Sequence, residues 1–178
     1  FAASVWGMND VTHLGIYDIP MMSNIPNLVY LAPTTYEEYI AMLDWSTEQR
    51  EHPVAIRVPG AVIHGEKPTK DYGILNKYET VQKGSGAAII ALGTFFGMGK
   101  QAAELIEKKT GVKPTLINPV YITGIDEELL ESLKKDHKAV VTLEDGILDG
   151  GFGEKIARFY GDSDMRTVNF GLKKEFLD

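Results

Sequence analysis

Hydrophobic positions change their spacing several times along this chain, and each change marks an element. Tyr36, Tyr39, Ile40 and Leu43 recur at the spacing of one helix face, and Thr35-x-x-Glu38 ahead of them is a capping box. The helix so predicted runs to about Arg50. Pro53-Val54-Ala55-Ile56-Arg57-Val58 follows as a short, mostly apolar strand stopped by Pro59-Gly60. Ala87 to Ala91 is a continuous apolar run, the pattern of a strand covered on both faces, Ala139 to Leu143 is another buried strand, and Thr115 to Asn118 is a third. Helical stripes lie between them. Met98, Ala102, Leu105 and Ile106 predict a helix ending near Gly111; Leu129, Leu130 and Leu133 predict one capped by Asp126; Ile156, Phe159 and Tyr160 mark the last. Tyr78 to Gln82 adds a strand at the sheet edge. Strand and helix alternate three times with short connections, which predicts an α/β fold with a mostly parallel sheet between two helix layers.

The same pass divides the chain. A first unit runs over 1–60, a Gly- and Pro-bearing stretch without periodicity over 61–76 reads as a linker, and a second unit occupies 77–178. Phe1 to Trp6 reads as the end of a buried strand, so the expectation is a piece of a longer polypeptide whose earlier strands complete that sheet.

Composition narrows the function classes. The 44% hydrophobic and 24% charged residues are those of an ordinary globular protein. A net charge of −7 gives no footprint for nucleic acid or an anionic membrane surface. Without cysteine there are no disulfides, thiolate metal sites or cysteine nucleophiles, and the cytoplasm is the expected compartment. No apolar run approaches the ~20 residues of a membrane span.

Candidate chemistry concentrates in Asn9-Asp10-Val11-Thr12-His13-Leu14-Gly15-Ile16-Tyr17-Asp18. Its polar and apolar positions follow neither helix nor strand period, and it reads as an unwound segment holding two carboxylates and a histidine. Histidine gives or takes a proton near neutrality. The plainer alternative is that Asp10 and Thr12 turn the chain and His13 is a satisfied buried imidazole. Other motifs are weaker. His64-Gly65-Glu66 lacks a third metal ligand. Gly93-Thr94-Phe95-Phe96-Gly97-Met98-Gly99-Lys100 departs from a phosphate loop at Thr94 and Gln101, so its glycines read as shaping a strand-to-helix turn. Glu144 and Asp145 stand at the carboxyl end of a strand, with Glu144 read as structural or interfacial. Gly150-Gly151-Phe152-Gly153 reads as a closely packed helix entrance and a surface for a second subunit.

Gly7-Met8-Asn9-Asp10-Val11-Thr12-His13-Leu14-Gly15-Ile16-Tyr17-Asp18, then Ile25-Pro26-Asn27, resembles the thiamin-diphosphate-dependent transketolase superfamily, in particular its 1-deoxy-D-xylulose-5-phosphate synthase branch (G-x-D-G-x-T-H-x-G-x-x-D, then I-P-N). Thr142-Leu143-Glu144-Asp145-Gly146, Gly150-Gly151-Phe152-Gly153 and Gly171-Leu172-Lys173-Lys174-Glu175-Phe176 are similar to that branch's closing domain. The resemblance implies the end of a pyrimidine-binding α/β domain followed by a three-layer α/β/α transketolase C-terminal domain. It implies a transferase of isoprenoid biosynthesis that joins pyruvate to glyceraldehyde 3-phosphate with loss of carbon dioxide. It further implies thiamin diphosphate and magnesium in the full-length protein, none expected in this fragment alone, and a homodimer. It gives His13 the catalytic position and makes Asn9, Asp10 and Arg57 candidate substrate contacts, Arg57 being equally readable as an ion-pair partner; the main cofactor determinants are expected upstream of Phe1. Departures leave alternatives open. Asn9 stands where the family has aspartate, and Gly60 replaces the second arginine of R-x-P-R-G, a residue suited to a substrate phosphate. A two-carbon transfer with another donor or acceptor, or a noncatalytic subunit such as a 2-oxo-acid dehydrogenase beta-like partner, fits those departures.

Overall fold

A computed structural model describes residues 14–58 and 62–175. The first stretch forms α1 (Asp18–Met22), β1 (Val29–Leu31), α2 (Tyr36–Glu48) and β2 (Val54–Ile56). The second forms β3 (Glu79–Gln82), β4 (Gly86–Ala91), a 3-10 turn (Gly93–Phe95), α3 (Phe96–Thr110), β5 (Thr115–Asn118), α4 (Glu127–Leu133), β6 (His137–Ile147), α5 (Phe152–Phe159) and β7 (Arg166–Leu172). No described helix is long and apolar enough to cross a membrane.

Five strands form one sheet in the order β3-β5-β4-β6-β7. β4 runs parallel to both β5 and β6, β7 is parallel to β6, and β3 joins antiparallel at the edge. Successive side chains of a strand point to opposite faces, and the two faces are covered differently. Ala88, Ile90, Ile117 and Val140 pack on Leu130 and Leu133 of α4 and on Phe152 and Ile156 of α5. Ile89, Ala91, Leu116 and Leu143 pack on Ala103 of α3. A mixed, mostly parallel sheet between helix layers is the result.

The helix starts follow from local chemistry. The Thr35 hydroxyl accepts from the Glu38 amide at 3.1 Å, and the Glu38 carboxylate reaches back to the Thr34 amide at 2.7 Å. Asp126 caps α4 by accepting from the Leu129 amide at 3.1 Å. At the end of α3, Gly111 takes the left-handed conformation (φ 72°) that a side chain would resist.

Two expectations need correcting, and one strand was not foreseen. Ala102 and Ile106 of the expected α3 stripe do pack against the sheet, but its fully buried residues are Gly99 and Ala103, whereas Met98 and Leu105 are exposed at 52% and 51%. Small residues set this rotation: a Cβ on Gly99 would lie 2.5 Å from that of Ala91, so glycine lets the helix lie directly on the sheet. Asp18 is not in an unwound segment but opens α1. β7 gave no sequence signal: none of its residues is fully buried, and Phe170 is 55% exposed, so an edge strand without full cover carries no continuous apolar run.

The two stretches share a core. β1 pairs in parallel with β2, and main-chain bonds run from Ala32 N–H to the Val120 carbonyl (2.8 Å) and from Ile122 N–H to the Tyr30 carbonyl (2.7 Å). Val29, Leu31 and Met42 pack with Tyr72, Val120 and Tyr121. Val120 has φ 62°, a conformation unusual for a β-branched residue, with its amide bonded to the Asn118 side chain at 3.1 Å. Strain of roughly 1–3 kcal/mol persists only where surroundings over-determine it, and the crossing between the units supplies those surroundings.

Candidate functional site

β6 carries two carboxylates inside its buried length, and each has a separate task. Asp145 faces the first stretch. One of its oxygens accepts from Arg57 Nη1, and the other accepts the Thr94 hydroxyl from the 3-10 turn after β4. Arg57, just past β2, also donates from Nε to Asp18 at 2.6 Å and from Nη2 to the Gly15 carbonyl at 2.6 Å. The Tyr30 hydroxyl from β1 completes the group by donating to Asp18. Arg57 is 2% exposed, Asp18 3% and Asp145 not at all, so this is a buried pair of carboxylates around one guanidinium. Burial opposes the Arg57 charge, but the charge of Asp145 and the bonds and charge of Asp18 outweigh it and raise its pKa. Burial, and then the Asp18 charge, push the Tyr30 hydroxyl well up. Tyr30 therefore acts as a donor.

α1 lies against the carboxyl end of β6 because glycines open the approach. A Cβ on Gly146 would meet the Ile19 side chain at 3.0 Å, and one on Gly150 would meet Pro20 at 3.0 Å. The Ile147 amide also donates to the Ile16 carbonyl at 3.0 Å. Residues 15–18 are thus held from below by β6 and from the side by Arg57.

Glu144 serves the other direction. Its carboxylate accepts from the amides of Phe152 (2.7 Å) and Gly153 (2.8 Å) at the start of α5, and Gly151 leaves the room it needs. Burial pushes the Glu144 carboxyl up to about 7 against the two amide bonds and the Arg57 charge, with the Asp145 charge adding to the rise. Lys155, one turn into α5, donates to the Ile122 carbonyl at 2.6 Å; burial brings its pKa down to about 8 against the pull of Glu144. These values set a pH dependence. Below about pH 4.5 the Glu144 carboxyl is protonated in both folded and unfolded chains; from there to about 7 only the unfolded chain releases the proton. Stability should therefore fall over that window by up to about 3 kcal/mol. Urea unfolding at pH 5 and pH 8 measures it, and Glu144→Gln should flatten the difference. An equal difference in the variant would assign the dependence to other groups.

Of the residues singled out in the sequence, Asn9, Asp10 and His13 lie outside the described residues. Arg57 was open between a substrate anion and an ion pair, and its geometry is that of the ion pair, because the guanidinium is buried and committed to Asp18, Asp145 and Gly15. Phe152 offers no subunit surface: it is fully buried against the sheet. His64 pairs through Nδ1 with Glu37 at 2.8 Å. Asp18, Asp145, Tyr30 and Thr94 were not assigned to this group from sequence. The available signal was charge inside an apolar run, since Thr142-Leu143-Glu144-Asp145 continues a strand and buried carboxylates require partners. Thr94 and Tyr30 gave none. Among the described residues no three His, Cys, Asp or Glu side chains gather where a metal ion would be held.

Residues 76–174 match the family model described as the transketolase C-terminal domain. The chain belongs to that family. Its relatives include 1-deoxy-D-xylulose-5-phosphate synthases: one from Clostridium perfringens is 37% identical over 99% of this chain and 29% of its own length. One from Clostridium tetani is 33% identical over 98% and 28%, and one from a Polaromonas species 36% over 99% and 27%. The chain thus spans a little over a quarter of the curated relatives it matches, within the thiamin-diphosphate-dependent superfamily. A solved structure described as a split gene transketolase, inactive beta4 tetramer, superposes with a TM-score of 0.80 at 24% identity. That likeness covers 94% of this chain and 56% of the other, and at this identity it speaks for the transketolase C-terminal fold alone.

Proposed function

We propose that this chain is the C-terminal part of a thiamin-diphosphate-dependent transferase of the 1-deoxy-D-xylulose-5-phosphate synthase type. In this reading 1–60 end a pyrimidine-binding domain, 61–76 link, 77–178 close the subunit, and the whole is a cytoplasmic homodimer. The observation that carries it is the anchoring of residues 15–18, which continue directly from the polar segment ending at His13, on the carboxyl end of β6. The carboxyl ends of parallel strands are where α/β proteins place ligands. Sequence similarity that continues through the same polar segment supports the assignment.

His13 holds and moves a proton at the reacting carbonyl or hydroxyl, and Asn9 and Asp10 orient it or meet substrate hydroxyls. Arg57 holds Gly15 and Asp18, next along the chain from this segment. The cofactor's binding is assigned mainly to protein upstream of Phe1, as the family resemblance implies, and no step is routed through it. Gly60, in place of the family's second arginine, favours a second reading with a different acceptor.

The test is turnover by the complete protein with thiamin diphosphate, magnesium, pyruvate and glyceraldehyde 3-phosphate. Carbon dioxide release with formation of 1-deoxy-D-xylulose 5-phosphate is expected. Turnover only with an unphosphorylated aldehyde or a ketol donor would move the assignment to the second reading. Absence of turnover with every donor would leave a noncatalytic subunit.

A further inference from the structure

We infer that a cleft at the amino ends of β1 and β2 binds a small, neutral, polyhydroxylated molecule. The cleft measures about 260 Å³. That lies just under the usual range for drug-sized ligands and suits a polyol of a few carbons. The first stretch supplies Ser23 after α1, Leu28 before β1 and His52 before β2, and the second supplies Leu75, Asn76 and Thr123. Arg57 lies past the other end of β2, so the buried ion pair takes no part here.

Hydrogen-bonding capacity in the cleft exceeds its internal use. Ser23 Oγ is buried and finds no partner among the described residues. Such a group costs folding free energy until something bonds it. The Thr123 hydroxyl accepts from the Tyr30 amide at 3.2 Å, which leaves its own O–H to give. His52 spends its main chain on bonds with the Gln49 side chain, while its ring makes none among the described residues. The Asn76 side-chain amide makes none there either. Asn76 is held in place all the same. Its φ of 60° is a left-handed conformation that asparagine tolerates better than most residues. Its side chain lies against Gly124, where a Cβ would stand 2.0 Å from Asn76 Oδ1. Any larger residue at 124 would push this amide away.

The lining chemistry narrows the ligand. Among the described residues that line the cleft there is no carboxylate, ammonium or guanidinium, so neither an anion nor a cation finds a fixed countercharge. Hydroxyl, amide and imidazole groups offer donors and acceptors together, and a ligand hydroxyl answers both. Leu28 and Leu75 give the C–H side of such a molecule an apolar wall. A polyol bonded to both stretches binds only where they are packed together, so it also stabilises their junction.

The experiment is saturation-transfer NMR on the complete protein with erythritol, a four-carbon polyol, beside n-butanol, inorganic phosphate and putrescine. Erythritol should half-saturate near or below roughly 1 mM, within reach of a few directed hydrogen bonds from so small a molecule. None of the other three should displace it, and neither should pyruvate or glyceraldehyde 3-phosphate. Asn76→Gly suits the left-handed backbone and removes only the amide, so it should weaken erythritol by about 5-fold or more. His52→Phe keeps the ring's shape without its nitrogens and should act in the same direction, which carries the test should Asn76→Gly fail to fold. Ser23→Ala should also weaken binding, yet raise the melting temperature of the protein without polyol, because it removes an unsatisfied hydroxyl. Glu131→Gln, on the exposed side of α4, should change neither. No saturable erythritol signal up to about 50 mM would overturn the inference and leave the cleft to water. Equal affinity in Asn76→Gly and His52→Phe would overturn it too, by placing the polyol elsewhere. Displacement by phosphate, putrescine or n-butanol would overturn the assignment to a neutral polyol.

Discussion

Arg57→Ala should lower the protein's folding free energy by about 3–5 kcal/mol, the usual cost of leaving buried charges without their partner. Asp18 and Asp145 are each at most 3% exposed, and Arg57 stands between them. With the guanidinium removed, each keeps only a hydroxyl donor, Tyr30 for Asp18 and Thr94 for Asp145, and no countercharge. Arg57→Lys should recover only part of the loss. An ammonium is a point charge with three rotatable donors, and it cannot reach Asp18, Asp145 and the Gly15 carbonyl in the fork's geometry. Arg57→Met combined with Asp145→Asn should be more stable than Arg57→Met alone, because the second change removes one stranded charge. Urea unfolding monitored by circular dichroism measures all four proteins. A loss below about 1 kcal/mol for Arg57→Ala would place the guanidinium in the range of an exposed ion pair and refute its central role.

The second large effect is on rate. His13→Ala in the complete protein should reduce kcat/KM by roughly 10²-fold or more, the scale for losing a positioned acid–base group. Thermal unfolding should move little, since the change removes no large apolar volume. Steady-state kinetics with a melting curve on the same preparation separates the readings. Unchanged activity with a lowered melting temperature would make His13 a structural imidazole. A loss confined to the phosphorylated acceptor, with pyruvate kinetics intact, would restrict its role to the acceptor side.

Apolar runs and caps made most of the fold legible in the sequence. Ala87 to Ala91 and Ala139 to Leu143 are strands because both sheet faces are covered, and Thr35 and Asp126 mark helix starts through bonds that are found. Failure came where one side of an element meets water or where small residues do the packing. β7 has only one covered side, and α3 is oriented by Gly99, which adds nothing to a hydrophobic stripe. The polar group around Arg57 was legible only in part. Its members are far apart in sequence, with Arg57 and Asp145 separated by 88 positions, and spacing rules reach only a few residues. The carboxylates could be suspected from their place in an apolar run, whereas the partner of each depended on how the two stretches pack.

The family match begins at residue 76, yet the molecule has no seam there. Tyr121 and Val120 complete the interior that Val29, Leu31 and Met42 begin, the amides of Ala32, Ile122 and Ile147 make main-chain bonds across that line, Glu38 accepts from Asn118 at 3.1 Å, and Arg57 donates to Asp145. A line drawn at residue 76 therefore runs through a shared apolar interior and a shared ion pair. Divided at that line, each piece would show water a torn interior and a charge whose partner had left with the other half. Exchange of the closing unit between relatives would therefore have to carry the Asp145 carboxylate, the Asn118 amide and the Tyr121 face with it, because each has its partner in the other stretch.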